Sequence, residues 1–231
     1  MRDFDVLKKA MKSGRMIGVL ALFLLSGLAF TRVPIEARAA VLVLDTPARQ
    51  IAVLRSGMGA IPASQLRRVE LLNLCLEVQG GLILALYPAA ARREVARECV
   101  RISDAMLVRS EAFGLARLVG VVSRASLGQV FDFTEEMVFA RQVAPREGWQ
   151  ATWRVWAVMR YSAPTDFADD GGFAADVLLL AGAHKLRDDL AGLYLRFPDW
   201  QARVSEIVAQ GGLTATFDGV VRKRIEAGKA G

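Results

Sequence analysis

Trp149, Trp153 and Trp156 stand four and three residues apart. On a helix that spacing puts all three indoles on one face. An indole stripe stacks on a sugar ring, binds a peptide or lies at a membrane interface; it also fills the groove against a neighbouring helix. Arg154 and Arg160 flank the stripe and give the binding use a cationic border. Core packing is the expectation for the indoles, and the five residues form the candidate binding set.

Other reactive residue types are sparse. The single histidine, His184, has Asp188 four residues on, within reach across one helical turn. A Ser-His-Asp device also needs a positioned nucleophile, and the sequence has no Gly-x-Ser-x-Gly elbow. Glu135 and Glu136 are neighbours on a predicted helix, so their carboxylates project apart and make a poor acid/base pair. Asp166 and Asp169-Asp170-Gly171-Gly172 gather oxygen ligands on flexible backbone, but their spacing fits no calcium loop and predicts a solvated turn. Gly57-Met58-Gly59 lacks the third glycine of a dinucleotide loop. No His-Glu-x-x-His, P-loop or Cys-x-x-Cys occurs. No metal and no cofactor is expected, and an enzyme is the least favoured class.

Cys75 and Cys99 flank Pro88, which opens a predicted helix. In a helical hairpin turning near Pro88 the two lie at similar heights, so a disulfide is a candidate. Two buried thiols are the other reading, because free cysteine behaves as a small apolar residue.

Compartment matters to that choice. Met16 to Thr31 carries no charge and follows Arg2, Lys8, Lys9, Lys12 and Arg15. The positive-inside rule keeps residues 1–15 in the cytoplasm and sends the rest outward. A 16-residue helix rises about 24 Å, short of the hydrocarbon core, but flanking arginines snorkel and bilayers thin. The expectation is an inner-membrane signal anchor over 16–31 with a periplasmic C-terminal domain. The alternative is a signal peptide cleaved near Ala37-Arg38-Ala39, leaving a soluble periplasmic protein. Leu71 to Tyr87 is also apolar, but Glu77 and Gln79 within it predict a core helix instead of a second span.

The net charge is +6, and half of it falls within residues 1–15. The remaining arginines are scattered among acids, so no nucleic-acid partner is expected. Arginine far outnumbers lysine and alanine is abundant, a composition of high-GC bacterial genes.

Helical signals dominate the rest. Residues 32–62 read as a linker holding short helices, PIEARAAVLVLD and TPARQIAVLRSG, or a β-hairpin pairing Val41–Leu44 with Ile51–Leu54. Residues 63–231 read as one helical domain. Ser64 caps a helix running to about Val78, and Pro88 opens a second. Ser110 caps a third, which Ser126-Leu127-Gly128 ends. A fourth lies near Phe131–Gln142, and Pro145 stops it. The tryptophan helix follows, then a loop over 162–172, three further helices (FAADVLLLAGAHKL, RDDLAGLYLRF and PDWQARVSEIVAQ), and after Gly211-Gly212 a basic helix near Phe217–Ala227. The predicted class is all-α: one transmembrane helix, then antiparallel helix pairs.

Gly128 between paired helices and Pro145 at the end of a pair make residues 64–160 similar to degenerate tetratricopeptide-like helix-pair proteins tethered in bacterial envelopes. Thr134 and Arg141 stand where that repeat has small residues, and no 34-residue period recurs. The resemblance implies a scaffold that binds an envelope protein, with no catalysis. The expected function is therefore a membrane-anchored periplasmic scaffold or accessory subunit in envelope or cell-surface polysaccharide assembly. The alternative is a module that binds a glycan or lipid through the Trp149, Trp153 and Trp156 face.

Overall fold

Glycines and caps cut the chain into helices where the sequence places them, with two instructive shifts. The structure, a computed structural model, describes residues 32–110, 113–167 and 171–229. Among them it is all-helical, without a strand. The expected anchor over 16–31 lies outside the described residues. Among the described residues no helix is long and apolar enough to cross a membrane.

Helix α1 covers 32–43. Helix α2, Pro47–Ser56, starts with Thr46 as N-cap residue and proline at its first position. Val41–Leu44 and Ile51–Leu54 thus lie in or against helices, and the β-hairpin alternative is overturned. Gln50 donates to the carbonyls of Leu42 and Val43, which closes the α1–α2 corner. Helix α3, Gln65–Gly80, is capped by Ser64, whose hydroxyl oxygen accepts from Arg67 N–H. Glu36 of α1 accepts from the Ala63 and Ser64 amides and the Ser64 hydroxyl, so α1 holds the start of α3.

The apolar run from Leu71 does not continue as one helix. Gly81 is extended and separates α3 from a four-residue helix α4, Leu82–Ala85. Helix α5, Ala89–Leu107, follows Pro88. It runs back along α3, and Cys75 and Cys99 meet there in a disulfide with a Cα separation of 5.8 Å.

Helix α6, Gly114–Ser126, lies at the centre of this half. Leu115, Ala116, Leu118, Val119, Val121 and Val122 are all buried, as expected of a helix packed on every side. Small groups let α5 approach it. Ser103 donates to the Ala116 carbonyl at 2.7 Å, and a Cβ on Gly120 would meet that hydroxyl. Ser110, the expected cap of this helix, closes α5 instead: its N–H donates to the Met106 and Leu107 carbonyls. Gly128 then turns the chain with φ +67°.

Helix α7, Phe133–Val143, is capped by Asp132, which accepts from Glu135 N–H at 2.8 Å. Helix α8, Gly148–Tyr161, carries the tryptophans. Helices α9 (Gly171–Gly182), α10 (Arg187–Arg196), α11 (Gln201–Gln210) and α12 (Thr214–Lys229) complete the chain. Phe173 of α9 packs on Trp200 at 5.0 Å between ring centroids, and Tyr194 of α10 meets Phe217 of α12 edge-on.

Glu98 of α5 ties down the Gly57–Pro62 linker. Its carboxylate accepts from the Met58 amide at 2.7 Å and from two nitrogens of Arg101. Burial alone would raise the pKa of this carboxyl; the bonds to Arg101 and Met58 outweigh burial and hold it below the usual value. A lowered carboxyl pKa contributes stability that is complete above the unfolded-state pKa and is lost as the pH falls through the folded one. Urea midpoints measured across the acid range are expected to drop as the pH falls below the ordinary value of 4.5, and Glu98→Gln is expected to flatten that drop. An unchanged pH slope in the variant removes Glu98 from the account.

The disulfide closes a loop with a sequence separation of 24 residues. The chain-entropy model assigns such a loop about 3 kcal/mol. Replacing both Cys75 and Cys99 by serine is expected to lower the unfolding free energy by that order, read from urea titration. Thiol alkylation of the unreduced wild-type protein is expected to label neither cysteine.

Candidate functional site

The structure splits the tryptophan stripe. Trp149, at the solvent end of α8, is 39 % exposed, Trp153 is half-buried and Trp156 only 3 % exposed. Trp153 and Trp156 meet edge-to-face at 5.4 Å. Their rings press against Gly80 at the end of α3, where an added Cβ would come within 2.8 Å of Trp153 Cζ3. The three indoles therefore do not form one open surface.

Arg154 corrects the expected cationic border. It is 1 % exposed and points inward, forming a two-pronged pair with Asp176 of α9: Nε to Oδ2 at 2.7 Å and Nη2 to Oδ1 at 2.8 Å. Nη1 donates to the Ala144 carbonyl, and Arg141 lies 3.4 Å from the same carboxylate. One residue beyond Trp153 is a turn of about 100° around the helix, which carries position 154 off the stripe and toward α9. Arg154 is a pin between α8 and α9 and no part of a binding face.

Arg160 behaves otherwise. It is exposed at the end of α8 and lines a cavity of about 660 Å³. The cavity lies between the α3–α4–α5 corner, the end of α6, the end of α8 and Arg196 of α10. Arg92, Arg93, Arg160 and Arg196 all line it, and no Asp or Glu does. None of the four forms an ion pair among the described residues. Arg196 is held in place by donating to the Gly80 carbonyl at 3.2 Å, a cation on the negative end of α3.

Arg92 and Arg93 stand on the second turn of α5. Pro88 supplies no side-chain cap, and the first turn contains no acid. Two arginines thus sit beside the positive end of a helix whose first amides point outward, an arrangement that an anion stabilises. Trp156 also borders the cavity; its Nε1–H is buried within the fold and finds no acceptor there.

The remaining wall is polar and connected. Ser126 Oγ and the Tyr161 hydroxyl share a hydrogen bond of 2.6 Å, and Ser126 also lies within hydrogen-bond distance of the Val122 carbonyl. Gln79 donates to Ser123 Oγ and the Cys75 carbonyl. Burial raises the Tyr161 pKa, against the pull of Ser126 and Arg160, so the phenol stays protonated and neutral. Guanidiniums beside neutral hydroxyls recognise a carboxylate or phosphate.

The other sequence candidates are accounted for separately. His184 is exposed in the turn after α9, and Asp188 accepts from Arg224 of α12. Glu136 pairs with Arg117 at 2.8 Å. Asp166 accepts from the Ala163 amide and so caps a short 3-10 turn, while Asp169 and Asp170 lie outside the described residues. Among the described residues no group of three metal-ligating side chains gathers. Sequence reasoning missed Arg92, Arg93 and Arg196. The pair Arg92-Arg93 directly after Pro-Ala-Ala-Ala was the available signal.

Gly80 is where the two halves of the cleft touch, so it offers a test of the geometry. Gly80→Ala forces the indoles of Trp153 and Trp156 to move, an overpacking that costs about 1–3 kcal/mol. The expected result is a lower melting temperature with a changed tryptophan emission. A variant with wild-type stability and emission would contradict the contact.

No family model, no curated protein and no solved structure matches the chain.

Proposed function

We propose that the chain is a membrane-tethered envelope protein that binds and does not transform its ligand, a scaffold or accessory subunit whose arginine cleft captures an anionic group. One observation carries this reading: four arginines line a cavity of about 660 Å³ without a carboxylate among them. That volume lies in the usual range for ligand clefts, about 300–1,000 Å³.

Tethering rests on the uncharged run over 16–31 behind its basic segment. Periplasmic placement follows from the same charge asymmetry, and an oxidising compartment agrees with the Cys75–Cys99 bridge. The scaffold reading rests on the tetratricopeptide-like spacing of Gly128 and Pro145 in the sequence. The glycan- or lipid-binding alternative moves from the Trp149, Trp153 and Trp156 stripe to the cleft behind it, where Trp156 contributes only an edge.

The test is a titration of the full chain, in neutral detergent, with pyrophosphate and with polyglutamate, followed by tryptophan emission. Saturable change that weakens with added salt is expected. Each charge-assisted bond is worth about 1.5–3 kcal/mol and every 1.4 kcal/mol is about tenfold, so Arg92→Glu with Arg93→Glu is expected to weaken binding at least tenfold. Arg49→Glu, on the exposed face of α2, serves as the charge control. Equal binding by the cleft variant and the control would overturn the reading.

A further inference from the structure

The wall of the arginine cleft has two sides. Leu84 and Ala85 of α4 face the cavity. Leu82 and Leu86, one turn apart on the other side, are 75 % and 86 % exposed, and Ile83 beside them is exposed as well. A four-residue helix at a chain corner thus holds three aliphatic side chains out into solvent. Nothing in the described structure covers them.

We infer that this corner docks on an anionic phospholipid bilayer: Leu82, Ile83 and Leu86 enter the acyl boundary while Arg92, Arg93, Arg160 and Arg196 take headgroup phosphates. The inference rests on the anion-binding reading of the cleft and names its ligand. Charge complementarity singles out the bilayer. A soluble phosphate or carboxylate uses the arginines but leaves the leucines in water. Exposed aliphatic groups bordered by arginine match the interfacial mode, in which apolar side chains reach about 5–10 Å below the headgroups. Arginine suits the role because its planar fork binds phosphate bidentately and is weakly hydrated. Ala89, at the uncapped start of α5, lines the same cavity.

The experiment uses the full chain with Ile83→Cys carrying a polarity-sensitive fluorophore; Cys75 and Cys99 are bridged and stay unlabelled. The protein is reconstituted into vesicles of phosphatidylcholine alone and of phosphatidylcholine mixed with phosphatidylglycerol. The anchor inserts into both, so it does not distinguish them. The expected result is a blue-shifted, brighter label in the anionic vesicles only, quenched by a shallow nitroxide lipid. Adding Arg92→Glu and Arg93→Glu is expected to abolish the shift, and adding Leu82→Ser and Leu86→Ser to reduce quenching. Circular dichroism confirms that the variants fold. A label equally wet in both vesicle types overturns the inference. If pyrophosphate or polyglutamate still binds in that case, the cleft serves a soluble anion or an acidic partner protein, and the proposed function survives. If neither binds, both fall.

Discussion

The contact between Gly80 and the edge-to-face pair Trp153–Trp156 fixes the relation between the two halves of the molecule. Without a side chain at 80, the indoles of α8 reach the backbone at the end of α3. That approach brings the end of α8, with Arg160 and Tyr161, to the α3–α4–α5 corner. It also brings Arg196 of α10 onto the Gly80 carbonyl. The cavity, its polar wall and its arginines are consequences of one close approach. The disulfide holds α5 to α3 a short way below, and Arg154–Asp176 holds α9 to α8 behind. Both limit how far the walls can drift.

Charge is distributed with the same bias. Several arginines elsewhere meet carboxylates: Arg55 with Glu94, Arg67 with Glu70, Arg117 with Glu136, Arg124 with Asp104 and Arg224 with Asp188. Most of these are partly exposed, so each contributes little to stability. Their effect is to neutralise the surface locally. In the cleft that neutralisation stops. Arg92 and Arg93 face a helix start instead of an acid, and Arg160 faces a phenol held neutral by burial. The site stands out because four arginines gather round one cavity with no carboxylate in its lining.

Most helix starts were legible in the sequence because Thr46-Pro47, Ser64, Pro88, Gly128 and Pro145 act locally, through caps and backbone restriction; the separate short α4 and the choice of helix over hairpin at 41–54 were not. The shifts occurred where a tertiary contact outbid a local one. Ser110 gave its amide to the end of α5, and α6 begins at Gly114, which packs against Val143 of α7. The site was less legible. Arg154 and Arg160 look alike in sequence, but six positions on a helix separate one facing α9 from one facing the cleft. The Cys75–Cys99 spacing could be read from the turn at Pro88, whereas Arg92, Arg93 and Arg196 come from helices whose meeting no periodicity encodes. Arg196 reaches Gly80 across 116 residues of chain.

The two ends of α3 place the site relative to the expected tether. Glu36 grips the start of α3, so residue 32 enters the domain near that end. The cleft and the α4 corner lie at the other end, one helix length away. Sixteen residues make that length about 24 Å. If the proposed anchor and the proposed bilayer docking both hold, the tether lies at one end of α3 and the arginine-bordered corner at the other, so α3 would lie along the bilayer with α5 joined to it by the disulfide.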